Sequence, residues 1–205
     1  MSQRIQSAQA ASSHPVNGFV VEGFHDYGPS TELFWDEPKH RDALNASIEC
    51  LPREKPRMVN GMLHPVAMLD LLKLGVDMID SSYTYMVTDR GGALSFPYKH
   101  DQTESPPADR MYELNLNDTK YVDQFTPLLD SCECYCCKGF TRGYIHHLLR
   151  TNELLAGVLL NLHNLHHYLQ FFDVVRSTLD DIESLDKLRA KLAKYRGEPV
   201  TSVNS

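Results

Sequence analysis

Apolar residues in the first half of the chain come in short bursts, and the stretches between the bursts have helical spacing. Gly18-Phe19-Val20-Val21-Glu22-Gly23 is an apolar run bracketed by glycines, which predicts a buried strand. Residues 27–30 (YGPS) predict a turn. Thr31 to Leu51 is helical in character, with Pro38 restarting a turn, because a proline inside a helix removes a hydrogen bond and clashes with the preceding turn. Arg57 to Gly61 predicts a second strand. His64-Pro65 opens a helix, proline being favoured in a first turn. Val66, Leu69 and Leu72 form its apolar stripe and Gly75 ends it. Val76 to Asp80 predicts a third strand. Strands alternating with helices over short links are the pattern of parallel βα units. Three strands cannot close a barrel, and a parallel sheet needs both faces covered. If these are barrel units, most of the barrel lies outside this chain and an apolar sheet surface stays exposed.

The second half changes period. Ala93-Leu94-Ser95-Phe96 and Met111 to Leu116 alternate, which predicts a small antiparallel pair joined through a polar loop over 100–110. Helices are predicted from about Thr141 to Leu149, Asn152 to Leu179 and Ile182 to Arg196. Residues 1–16 are rich in Gln, Ser and Ala and are expected to be disordered.

Cysteine placement adds chemistry to this picture. Four of the five cysteines fall within six residues, in a loop ahead of the longest apolar helix. Cys132, Cys134 and Cys137 stand at C-x-C-x-x-C spacing and can converge on one soft ion. A fourth ligand must come from elsewhere, and the helix that follows is rich in histidine. Structural zinc takes four N/S ligands in a tetrahedron, Cys3His being a common set. The competing readings are a chance cluster or a disulfide. Adjacent Cys136 and Cys137 make poor disulfide partners, and an odd total argues against a closed disulfide framework. From spacing alone, Cys136 and Cys137 can exchange roles.

Composition narrows the class. Hydrophobic residues at 42% and charged residues at 23% are those of an ordinary globular domain. The longest apolar runs, such as Leu154 to Leu162, fall far short of the ~20 residues needed to span a bilayer. The N-terminus lacks the apolar core of a secretory signal, so the thiols are expected in a reducing compartment, as metal ligands rather than bridges. A net charge of −7 does not suggest a free-standing nucleic-acid binder. The terminal helix is locally basic, with Lys187, Arg189, Lys191, Lys194 and Arg196. A solvated face is the plain reading of that run, and an RNA-facing or membrane-surface role is the alternative.

GVDMIDSSYTYMVTDRGGAL, the C-x-C-x-x-C loop and GYIHHLLRTNELL followed by an HN pair resemble the C-terminal half of the tRNA-guanine transglycosylases. The resemblance runs from about Val16 to Leu179. It implies an α/β fold, the C-terminal part of a (β/α)8 TIM barrel comprising its last three strands, with a zinc-binding subdomain and C-terminal helices. On this reading residues 1–16 are a disordered N-terminus and 17–130 a partial barrel with a small antiparallel insertion. Residues 131–180 are the zinc-binding subdomain and helices, and 181–205 a basic C-terminal helix and tail. The resemblance supplies His163, followed by Asn164, as the fourth ligand of one Zn2+ with Cys132, Cys134 and Cys137. His146, His147, His166 and His167 are then not ligands.

Family members exchange guanine at the wobble position of tRNA for a deazaguanine. Their nucleophilic carboxylate, at the end of the last strand, matches Asp80. Such a position at the C-terminal end of a barrel strand fits catalysis, while from spacing alone a loop-capping carboxylate fits equally. Gly23 and Phe24 match a strand whose backbone contacts the base, but Glu22 replaces a glycine and would crowd that place. Catalytic members carry arginines after the nucleophile, in a loop that grips the anticodon. Here the loop holds Thr84, Tyr85, Met86 and Asp89, and a carboxylate against RNA repels where a guanidinium attracts. Arg90, one residue away, could compensate. TYMVTDRGGAL resembles instead the accessory branch of the eukaryotic members.

The resemblance therefore implies a non-catalytic subunit, with Asp80 vestigial. It would form a heterodimer with the catalytic queuine tRNA-ribosyltransferase subunit and meet tRNA through that complex. Exchange of guanine for queuine in tRNAs with GUN anticodons would be the supported reaction. The place would be the cytoplasm, with at most peripheral contact at the mitochondrial outer membrane. Rival readings are a catalytic transglycosylase using Asp80 and a shortened zinc-stabilised interaction module without a tRNA role.

Overall fold

The computed structural model describes residues 2–24, 35, 37–61, 63–99 and 108–197. The chain forms two compact units, one through Tyr83 and one from Thr84 to Pro199.

In the first unit, α1 (Ser2–Ser12) precedes three strands, β1 (Phe19–Val21), β2 (Arg57–Val59) and β3 (Met78–Ile79), with α2 (Pro38–Ile48) and α3 (Pro65–Lys73) as crossovers. The strands pair in parallel in the order β1-β2-β3, as their alternation with helices predicts. They are shorter than the apolar runs that announce them. Pro38 is the first residue of α2, where its fixed φ is preorganised and its missing N–H costs nothing. The expected turn at 27–30 and the expected helical residues 31–34 lie outside the described residues.

His64 caps α3, its Nδ1 accepting from the Ala67 amide at 3.2 Å. Val66, Ala67, Met68, Leu69 and Leu71 are all buried, so the helix is sunk on most of its circumference rather than along one stripe. Leu72 is only half-buried. Gly75 follows the helix at φ +90°, a left-handed turn that a side chain would strain. On the sheet, Val20, Met58 and Met78 stand in one paired row. Val20 is 56% and Met78 46% exposed, so this row leaves apolar side chains open to solvent.

Residues 2–12 correct the expectation of a disordered N-terminus, because they form α1. Gln, Ala and Arg are good helix formers, and a tertiary contact holds the helix in place. The Arg4 guanidinium donates to the carbonyls of Glu22 (2.7 Å) and Gly23 (3.2 Å) and lies 4.3 Å from the Phe24 ring centroid. Composition reports how little apolar surface a segment has, and it is silent about one well-placed cation.

The second unit takes in α4 (Ser82–Asp89) from Thr84 onward. It continues with β4 (Gly92–Leu94), β5 (Glu113–Asn115), α5 (Tyr135–Gly139), α6 (Arg142–Arg150), α7 (Leu154–Ser177) and α8 (Ile182–Tyr195). β4 and β5 are the predicted antiparallel pair, in the register Gly92↔Asn115, Ala93↔Leu114 and Leu94↔Glu113. This pair belongs with the cysteine loop and the long helix rather than with the parallel strands.

Glu113 is fully buried between two arginines. Arg90 Nη2 reaches its Oε2 at 2.6 Å, and Arg110 Nε bonds its Oε1. A Cβ on Gly92 would stand 2.7 Å from that carboxylate, so only glycine fits there. Asp109 ties down the neighbouring turn by accepting from Lys120, from the Tyr121 hydroxyl (2.6 Å) and from the Asn115 amide (2.8 Å). α8 docks through Leu185, Leu188 and Leu192. Its basic run is largely engaged locally. Lys187 pairs with Glu183 at 2.6 Å, Lys191 donates to the Lys99 carbonyl at 2.8 Å, and the Tyr195 hydroxyl meets Ser95 Oγ at 3.0 Å.

Glu113→Ala is expected to destabilise this unit by about 3–5 kcal/mol in urea unfolding, since it strands two buried cations. An unchanged midpoint would count against the ion triad. Burial raises the Asp109 pKa, but the bonds from Lys120, Tyr121 and Asn115 outweigh it and hold the carboxyl below its ordinary value. A depressed folded-state pKa contributes stability above the unfolded value of about 4, lost as pH falls through the folded value. Acid unfolding of Asp109→Asn, followed by circular dichroism, should accordingly depend less on pH below about 4.

Candidate metal centre

Four side chains converge in the second unit. Cys132 sits on a turn closed by its amide to the Leu129 carbonyl (3.1 Å). Cys134 is the N-cap of α5, and its Sγ accepts from the Cys137 amide at 3.3 Å. Cys137 lies in that short helix, and His163 projects from the middle of α7. The three sulfurs stand 3.7, 3.6 and 3.4 Å from His163 Nδ1, and all four donor atoms lie within 4.8 Å of one another. Zinc at about 2.3 Å from sulfur and 2.0–2.1 Å from nitrogen, at tetrahedral angles, places S and N about 3.5 Å apart. The sulfur-to-nitrogen distances therefore fit a tetrahedral thiophilic ion.

Cys136 does not join them. It is fully buried in a core with Leu128, Ile145, Leu148 and Leu159, and its sulfur is not among the converging donor atoms, whereas that of Cys137 is. The other histidines have different work or none in the cluster. His146 Nδ1 donates to the Leu116 carbonyl (2.8 Å). His167 Nε2 donates to the Phe96 carbonyl (3.0 Å), its ring edge-on to Phe96 and Tyr98. His147 is exposed and His166 half-exposed.

The back of His163 is as ordered as its front. Its Nε2 donates to the Leu94 carbonyl at 2.9 Å, which turns Nδ1 toward the sulfurs. Such an outer bond fixes the tautomer and ring orientation of a metal-binding histidine. Asn164 accepts from the Leu94 amide (2.8 Å) and donates to the Gly92 carbonyl (3.0 Å) and to Thr88 Oγ1 (2.9 Å). Sequence reasoning placed His163 but missed Asn164 and His167 as its structural companions. The i, i+4 spacing of His163 and His167 was the signal that could have found one of them.

Crowding dominates the electrostatics. Hydrogen bonding from Cys132 and Cys137 holds the Cys134 thiol far below its ordinary range, against burial. Burial lowers the His163 pKa, but the Cys132 and Cys134 sulfurs and the Leu94 carbonyl reverse this and raise it to about 9. Burial, reinforced by the Cys134 and Cys132 charges, pushes Cys136 up to about 12, so it stays a neutral thiol. Burial keeps His167 neutral. Hydrogen bonding with Cys132 and Cys134 pushes Cys137 up, so the negative charge gathers on Cys134, where a dication would neutralise it.

The remaining predicted positions are structurally occupied. Asp80, just past β3, accepts from the Gly61 amide (3.2 Å) through Oδ2 and from the Ser82 amide (3.0 Å) through Oδ1. Those bonds are a capping role, linking the ends of two strands to the start of α4. Glu22 is exposed, and its carbonyl and that of Gly23 are bonded to Arg4. The segment expected to be a loop after Asp80 is the helix α4, because Tyr83, Thr84, Met86 and Val87 bury one side of it. Tyr85 and Asp89, at i and i+4, face outward. Arg90 turns inward, Glu113 and the core holding its guanidinium at 9% exposure.

Residues 1–197 match the family model described as queuine tRNA-ribosyltransferase. The chain is 38% identical over 217 residues to the human protein "Queuine tRNA-ribosyltransferase accessory subunit 2", covering 92% of this chain and 51% of that one. Proteins of the same name from Xenopus tropicalis and Danio rerio are 37% and 35% identical, covering 89% and 97% of this chain and 49% and 53% of theirs. The chain thus spans about half the length of these relatives. With a matching model over nearly all its residues, and a Cys3His cluster in the same stretch, the chain belongs to the queuine tRNA-ribosyltransferase family.

Proposed function

We propose that this chain acts as a non-catalytic accessory subunit of queuine tRNA-ribosyltransferase. It pairs with the catalytic subunit and supports exchange of guanine for queuine at the wobble position of tRNAs with GUN anticodons. The observation that carries this reading is the outward face of α4. Tyr85 and Asp89 stand where an anticodon-gripping surface would present guanidinium groups, and Arg90 is consumed by Glu113. A carboxylate on that face repels a phosphate backbone. The three parallel strands are, on this reading, the last three of a (β/α)8 barrel. The protein works in the cytoplasm, with peripheral contact at the mitochondrial outer membrane. No helix among the described residues is long and apolar enough to cross a bilayer.

Zinc is the ion the donor set favours. Cys132, Cys134, Cys137 and His163 would hold it as a closed four-ligand site with no position left for substrate, so its role is structural. Bound there, it supplies a covalent tie between the cysteine loop and α7. Asp80 keeps the place of the family nucleophile, but both its oxygens accept backbone amides. In this chain it orders the strand ends.

Metal analysis of purified protein should find one zinc per chain. Cys134→Ser and His163→Ala are expected to lose it and to melt the second unit, whereas Cys136→Ser keeps it. Retained zinc in the first two variants, or its loss in the third, would refute the ligand set. In an assay of labelled guanine exchange into tRNA, the chain alone should be inactive, and Asp80→Asn should leave the activity of the two-subunit complex unchanged. Activity of the lone chain that vanishes in Asp80→Asn would make it a catalytic transglycosylase instead.

A further inference from the structure

Asn164 follows the proposed ligand His163 on α7, and every polar atom of its side chain is committed. Its Oδ1 accepts from the Leu94 amide, and its Nδ2 donates once to the Gly92 carbonyl and once to Thr88 Oγ1. The partners fix which way the amide points, since the Leu94 N–H can only donate and the Gly92 carbonyl can only accept. Thr88 spends its own proton on the Thr84 carbonyl at 2.8 Å, so its oxygen is the acceptor for Asn164. A carboxamide is the short side chain that offers one acceptor and two donors. Asn164 is fully buried, so a lost partner would leave one of these groups unpaired away from water. Two of the three bonds hold β4. The third leaves the sheet and ties α7 to the last turn of α4, inside the second unit. That turn is closed by the Arg90 amide on the Met86 carbonyl (3.3 Å) and the Gly91 amide on the Thr88 carbonyl (2.9 Å). Arg110 and Asn117 donate to the Arg90 carbonyl at 2.8 and 2.9 Å and hold the corner beyond it.

His163 and Asn164 are consecutive on one helix, so their backbones cannot shift independently. The His163 ring is held between the Leu94 carbonyl and the three sulfurs. A displacement of Nδ1 relative to the sulfurs therefore passes to Asn164, and a close-packed interior transmits it rather than absorbing it. We infer that Asn164 and Thr88 are positioning residues that couple the metal centre to α4. The size of the ion held by Cys132, Cys134, Cys137 and His163 sets the seat of the last turn of α4, and with it the outward face that carries Tyr85 and Asp89. This inference deepens the zinc reading and rests on it. By linkage the coupling is reciprocal: a helix end released from α7 alters the geometry of the ligands in turn.

The test is amide hydrogen exchange of the full chain, loaded in turn with zinc and with cadmium. Cadmium takes the same soft thiolate ligands and is the larger ion, so it spreads the four donors without emptying the site. In the parent chain the swap should change exchange at the Arg90 and Gly91 amides about fivefold, the effect of one net hydrogen bond. The Leu185 amide of α8, which donates to the Asp181 carbonyl at 3.1 Å, should stay unchanged. Thr88→Val removes the hydroxyl and keeps the branched shape. It should abolish the response of α4 to the swap, and Thr88→Ser should restore it. The cobalt-loaded chain adds a signature that lost stability alone does not move. Its visible bands, which report ligand geometry, should shift in Thr88→Val. They should match the parent in Thr88→Ser and in Leu188→Ala, a change in the buried face of α8. Identical exchange at Arg90 and Gly91 in the zinc and cadmium forms of the parent would overturn the coupling and leave the zinc reading standing. So would a response that survives Thr88→Val. A parent chain that binds none of the three ions would overturn both.

Discussion

The second unit depends on how the outer edge of one three-residue strand is satisfied. β4 pairs with β5 on one side only, and its other side presents the Gly92, Leu94 and Phe96 carbonyls and the Leu94 amide to the protein interior. A buried unpaired backbone group costs as much as a lost hydrogen bond. Here α7 takes the place of a neighbouring strand, with three side chains in two turns supplying what a ladder would. Asn164 matches both donor and acceptor of the edge, while His163 and His167 cap the carbonyls beyond it. The helix can lie there only because these residues fall on one face, and the strand can be so short only because the helix is there.

His163 joins this edge to the thiol cluster through its second ring nitrogen. One imidazole answers two demands: its Nε2 proton is spoken for by Leu94, so Nδ1 is held facing Cys132, Cys134 and Cys137. Chemistry at the proposed zinc is thereby coupled to the alignment of β4. The buried Glu113 triad secures the other side of the same strand, so the short sheet is pinned from both flanks by polar groups within a mostly apolar surround. Such groups stabilise only when fully partnered, and Glu113, His163 and Asn164 are.

Much of this was legible in the chain. Short apolar runs between helical stretches gave the parallel strands, alternation gave the antiparallel pair, and cysteine spacing pointed to three of the four donors, because each of these is a local pattern with a local cause. Partners far apart in the chain were not legible. Arg4 holding α1 to the end of β1, Asn164 closing the edge of β4 and Arg90 turning inward to Glu113 are contacts 18 or more residues apart that no periodicity announces. The segment after Asp80 is a loop only by the family resemblance, and burial of Tyr83, Thr84, Met86 and Val87 makes it a helix. Cys136 and Cys137 were indistinguishable by spacing, and the place of their sulfurs separates them, since only that of Cys137 reaches His163.

The missing side chain at Gly92 sets the alignment of the whole assembly. Two strands of three residues have little intrinsic preference for one offset over another, and a shift by a single residue turns every side chain to the opposite face. The Glu113 carboxylate occupies the room where a Cβ of residue 92 would be, so a slipped pairing would drive Ala93 into a buried ion pair. The same slip would swing the Leu94 amide and carbonyl away from Asn164 and His163. A vacancy one atom wide thus acts as an indexing notch, and the thiol cluster beyond the strand inherits its position from it.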